Sequence, residues 1–103
     1  MNEDDHAPEA FMALTAGIAE KDRKLSSLAA GIVASLHLGI AGDSRSFARI
    51  FGIEHALVLR AINELDGLEP QVEITRRDAR TQRTFLQLTP SGIRLADESF
   101  KHP

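Results

Sequence analysis

SRSFARIFGIEHALVLRAINELDGL, residues 44–68, reads as two short helices joined by a tight turn. Phe47, Ala48 and Phe51 share one face of a first helix, and Ile53, Val58, Ile62 and Leu65 share one face of a second. Gly52 stands between them, where a sharp turn favours a residue without a Cβ. This is the spacing of a helix-turn-helix, a unit that usually sets its second helix in a DNA groove. No other stretch of the chain points to chemistry.

Upstream, residues 1–7 are polar and acidic without a pattern, which predicts disorder. Pro8 suits a first helical turn, and Phe11, Leu14 and Ile18 predict a helix over about 8–20. KDRK at 21–24 is a polar break or a continuation of it. Leu25, Leu28, Ala29, Ile32 and Leu36 predict an amphipathic helix over about 23–38, ended by a loop with Gly39 and Gly42. Asp43 or Ser44 caps a helix over about 44–51. Glu54 opens the next, over about 54–66, with Gly67 as its C-cap.

Downstream the period changes. Val72, Ile74 and Arg76 alternate with Glu73, Thr75 and Arg77, and Thr84, Leu86 and Leu88 share a face of a return strand over about 82–88. The two form a hairpin over about 72–88, turning around Asp78-Ala79-Arg80-Thr81. Thr89 then caps a helix with Pro90 at its first position, over about 90–100, with Ile93, Leu95 and Ala96 on its apolar side. The expected architecture is one domain over 8–100, mainly α with a small β-hairpin (α+β), in the order of a winged helix-turn-helix.

Composition narrows the function. At 103 residues with 43% hydrophobic content, the chain supports one modest core. It has no cysteine, which excludes disulfides, thiolate metal sites and cysteine nucleophiles. No apolar run approaches the roughly 20 residues of a membrane span. The start, MNEDDHAPEA, is acidic and unlike a signal peptide. A cytoplasmic protein without a membrane partner is expected. The net charge of −3 argues mildly against nucleic acid, but its distribution is uneven. Residues 1–22 sum to −5 and residues 76–94 to +4, and every basic residue between 45 and 94 is Arg. Arg bonds phosphate and guanine bidentately, which Lys cannot.

Three local motifs resemble the MarR-type winged helix regulators. The run Gly52-Ile53-Glu54-His55-Ala56-Leu57-Val58-Leu59-Arg60-Ala61-Ile62 is similar to that family's Gly-Leu-Ser-x-x-x-Val-x-Arg-x-Leu pattern. Asp78-Ala79-Arg80 looks like the Asp-x-Arg of its wing, and Leu88-Thr89-Pro90-Ser91-Gly92 like the Leu-Thr-x-x-Gly opening the helix after the wing. The similarity covers about residues 23–98 and is most specific in the last motif. It implies a DNA-binding transcriptional regulator and a homodimer, to which residues 8–22 could contribute. Control by a small ligand would follow from the resemblance alone.

With Val58, Ala61, Ile62 and Leu65 inward, the outside of the second helix keeps His55, Ala56, Leu57, Leu59, Arg60 and Asn63. Arg60 could reach guanine or a phosphate, Asn63 adenine, and His55 a phosphate or a base. In the hairpin, Arg76, Arg77, Arg80 and Arg83 could enter the minor groove or bind phosphates, with Thr81 and Gln82 adding backbone contacts. The wing spacing differs from the family's by about one residue, so Arg80 and Arg83 could exchange roles. On the first helix, Ser44, Arg45, Ser46 and Arg49 lie near the N-terminus or outside, where Ser44 or Ser46 could hold a phosphate; for Ser44 capping is at least as good a reading as binding. His6, His37, His55 and His102 are scattered, so no metal site is expected. No phosphate-binding glycine loop, cofactor motif or Ser/His/Asp set is present, so neither an enzyme nor a cofactor is expected.

The expected partner is double-stranded DNA. The rival reading is a winged helix that binds protein, favoured by the net acidic charge and by Leu57 and Leu59, which cannot bond base edges.

Overall fold

The computed structural model describes residues 7–100. The chain runs α1 (Ala7–Lys21), α2 (Ser27–Leu38), α3 (Ser44–Phe51), α4 (His55–Leu65), β1 (Val72–Arg77), β2 (Thr84–Leu88) and α5 (Pro90–Phe100). It is mainly helical, with one antiparallel hairpin, and belongs to the α+β class. The disorder expected for residues 1–7 falls almost wholly outside the described residues.

α2 is the central helix, and Ala29 through Ser35 are buried without interruption. α1 adds Leu14 and Ile18 to the same core, α4 adds Val58, Ala61, Ile62 and Leu65, and α3 adds Phe47. Val72, Leu86 and Ala96 close the core from the hairpin and α5. Phe11 of α1 stacks on Phe51 of α3 at 5.7 Å, and Phe51 on Phe47 at 6.0 Å, so a row of rings joins the first helix to the third.

Three boundaries differ from the sequence reading. α2 starts at Ser27 rather than near 23, because Lys21 ends α1 and the Asp22 carboxylate bonds Lys24 N–H in a turn. Ser26 then caps α2, accepting from Ala29 N–H. α4 ends on Asp66 rather than on a left-handed Gly67; the Asp66 N–H closes back on Asn63 O. β2 starts at Thr84 rather than 82, because Gln82 sits at φ 63°, outside strand geometry. The alternation read in β1 also fails: only Val72 is buried, and the register slips between Ile74 and Arg76 at a bulge.

β2 has a second neighbour. Leu86 N–H donates to Gly42 O at 2.9 Å, and Asp43 bridges Phe85 in antiparallel fashion. The loop entering α3 is thereby fixed to the hairpin.

The segment after β2 makes a clip. Thr89 caps α5, accepting from Gly92 N–H, while its hydroxyl donates to Pro70 O at 2.6 Å. Its own N–H donates to Gln71 O. A Cβ at Gly92 would overlap the Gln71 carbonyl, so Leu-Thr-Pro-Ser-Gly is a sequence shaped by close backbone approach. Gly92→Ala gains about 1 kcal/mol of helix propensity. Overpacking costs roughly 1–3 kcal/mol, and rigid backbone on the other side puts this site at the upper end. The expected net loss is about 1–2 kcal/mol, read as a lower urea midpoint at unchanged slope; an unchanged midpoint would refute the clip.

Candidate nucleic-acid interface

α3 is capped at both ends. Asp43 precedes α3 in an extended conformation, and its carboxylate accepts the N–H groups of Arg45 and Ser46. Gly52 ends α3 in the left-handed region, at φ 69°, and its N–H bonds Ala48 O. α4 begins two residues after Ile53, with Glu54 at its N-cap position and no side-chain capping bond.

α4 buries the four expected residues and exposes Ala56, Leu57, Arg60 and Asn63. Leu59 is half-buried against the core, while Leu57 is 41% exposed. At the far end, the Glu64 carboxylate accepts Ser26 N–H and Oγ, at 3.2 and 3.0 Å, which anchors α4 to the start of α2. The hairpin lies beside the exposed face. Leu59, Ile62 and Asn63 of α4 line a cleft of about 200 Å³ with Arg77, Gln82 and Thr84. Asn63 and Arg77 thus face one space.

The arginines of the helix pair and the hairpin divide into two groups. Arg83 Nε bonds the Asp43 carboxylate at 3.1 Å, Arg45 donates to Thr81 O at 2.6 Å, and the Arg76 guanidinium lies 4.4 Å over the Phe85 ring. These three brace the hairpin. Arg49, Arg60, Arg77 and Arg80 are exposed, and among the described residues their guanidinium groups make no ion pair or hydrogen bond. Arg80 therefore stands free where Arg83 is engaged, although both follow Asp78. The Asp78 carboxylate accepts Arg80 N–H, and Thr81 Oγ1 accepts Arg83 N–H, so the turn is built by its own side chains.

Two serines and a histidine sit differently from the sequence reading. Ser44 is fully buried, and its hydroxyl oxygen accepts Thr84 N–H at 2.9 Å. Ser46 Oγ donates to Asp43 at 2.7 Å. The end of α3 read as a phosphate site is therefore filled by the chain's own carboxylate, which repels a second anion there. His55 Nε2 lies 2.7 Å from Ser44 Oγ and points into the protein. The capping pattern signals Asp43 in the sequence; nothing there signals the Arg76–Phe85 stack or the Glu64 anchor. Among the described residues, no group of three or more His, Asp or Glu could hold a metal, and no helix is long and apolar enough to cross a membrane.

Burial raises the Asp43 carboxyl pKa, but the Ser46 bonds, the Arg83 charge and the Arg45 N–H outweigh it and hold the pKa below the ordinary 3.8. For His55, burial and then the Arg45 charge, with Arg83, hold the imidazole below 6.5 against the pull of Asp43.

The signs give a pH profile. The unfolded chain takes up a proton on His55 first, so stability falls as pH drops below 6.5 and through the depressed value. The Asp43 contribution is present above 3.8 and is lost as pH falls through its own lowered value. Urea midpoints should therefore decline as pH drops through 6.5 and below, less so in His55→Gln. Identical slopes for both chains would contradict the burial of a neutral imidazole. No family model, curated protein or solved structure matches this chain.

Proposed function

We propose that the protein is a winged helix-turn-helix domain that binds duplex DNA and acts as a transcriptional regulator. The observation that carries this reading is the cleft shared by Asn63 and Arg77, which sets the exposed face of α4 beside the arginine hairpin. A helix in the major groove and a hairpin on the adjacent phosphates or minor groove need that side-by-side arrangement. The Gly52 turn, the element order and the short pairing of Asp43 with β2 support the winged helix assignment. Arg60 and Asn63 are the base-reading candidates. Arg49, Arg77 and Arg80 are the phosphate or minor-groove candidates, and Arg45, Arg76 and Arg83 hold the wing in place. Because Leu14 and Ile18 face the core, a homodimer through α1 would use its outer face, where Met12, Ala13 and Ala16 are exposed.

The exposure of Leu57 favours a second reading, a protein-interaction module. Leu59 no longer supports it, being packed on the core.

Anisotropy titration against random duplex DNA at low and moderate salt tests the choice. Nonspecific binding should be micromolar at low salt and should weaken steeply as salt is added. Arg80→Ala should weaken binding to all sequences and lower the salt slope by about one. On a selected site, Arg60→Ala should cost about 1–3 kcal/mol and relax preference at one base position. Absence of binding at low salt would reject the DNA reading. The protein module would then be tested by Leu57→Asp, which should abolish capture of a partner.

A further inference from the structure

One buried oxygen joins the three elements of the interface. Ser44 is the first residue of α3, His55 the first of α4 and Thr84 the first of β2. Ser44 Oγ accepts Thr84 N–H at 2.9 Å and lies 2.7 Å from His55 Nε2. Ser44 is fully buried and Thr84 nearly so, while His55 is half-buried. The Thr84 N–H takes one lone pair of the hydroxyl. In the Nδ1–H tautomer of the neutral imidazole the hydroxyl donates to Nε2; in the Nε2–H tautomer the ring donates to the second lone pair, and in either case His55 and Thr84 share the one oxygen.

The other ties on the hairpin turn are weaker. Arg45 to Thr81 O and Arg83 to Asp43 lie at the exposed or half-exposed surface, where such contacts contribute little. The hydrogen bond at Thr84 is the buried one, at the point where the turn re-enters the sheet. Removing Oγ leaves a buried N–H with no partner, which costs more than the bond itself contributes.

We propose that Ser44, oriented by His55, is the positioning residue of the wing: it fixes the hairpin against α4 so that Arg77, Arg80 and Asn63 meet one duplex together. The duplex half of this proposal rests on the DNA reading above; the hairpin half does not. Holding the arginines in place before binding removes an ordering cost that a loose hairpin would incur on the DNA.

Amide hydrogen exchange and DNA titration on the same variants test both halves. In Ser44→Ala and in His55→Leu, a change at a half-exposed position that spares the core, the Thr84 amide and the hairpin should exchange at least about tenfold faster. The α2 amides should keep their protection. His55→Gln, whose amide can still bond Ser44 Oγ, should retain hairpin protection. With DNA, Ser44→Ala should weaken affinity about tenfold and lower the salt slope. Arg80→Ala should then cost less on the Ser44→Ala background than alone, because the misplaced arginine has already lost its phosphate. Unchanged hairpin exchange in both Ser44→Ala and His55→Leu overturns the proposal, whatever the DNA result. Faster exchange with fully additive DNA effects overturns the duplex half. No binding by the unaltered chain overturns the DNA reading and that half with it, while hairpin exchange still decides the positioning.

Discussion

Asp43 is a single carboxylate on which four donors converge: the N–H groups of Arg45 and Ser46, the Ser46 hydroxyl and Arg83 Nε. The four serve three tasks. The two N–H groups start α3, the hydroxyl occupies the other carboxylate oxygen, and Arg83 brings the hairpin to the same point. The backbone of Asp43 also bridges Phe85, so the residue joins loop, helix and sheet. A protonated or neutral side chain there could accept fewer of these bonds, and the helix start and hairpin would loosen together. The start of α3 and its link to β2 meet at this residue, and none of the exposed arginines takes part in it.

The helices were legible because their periodicity is strong and their ends are marked. α3 and α5 fall where the sequence puts them, since Asp43, Gly52, Thr89 and Pro90 signal their ends locally. The start of α2 was not legible, because Leu25 extends its apolar repeat into a turn that Asp22 closes. Gly67 suggested a cap, yet Asp66 closes the helix without a left-handed residue. The bulge in β1 was equally hidden, since a one-residue slip leaves the composition of the strand unchanged.

For the candidate site, sequence located the arginines but not their duties. Arg45, Arg76 and Arg83 look like Arg49, Arg77 and Arg80 until the fold brings Thr81, Phe85 and Asp43 beside them. Ser44 is the sharpest case. Its position in the sequence suits a cap or a phosphate ligand, but Thr84, forty residues away, claims its oxygen. Long-range pairing of this kind has no local signature.

The bulged strand β1 carries a further consequence. β2 is paired on both sides, but β1 has no neighbour beyond β2 among the described residues. Its outer edge offers free backbone groups to any other chain, and Ile74 is partly exposed on it. Glu73, Arg76, Arg77 and the local kink guard that edge against strand-to-strand association. The charges of the hairpin therefore bear on its solubility independently of any ligand. Variants that strip both Arg76 and Arg77 leave only Glu73 and the kink to guard the edge, which favours self-association.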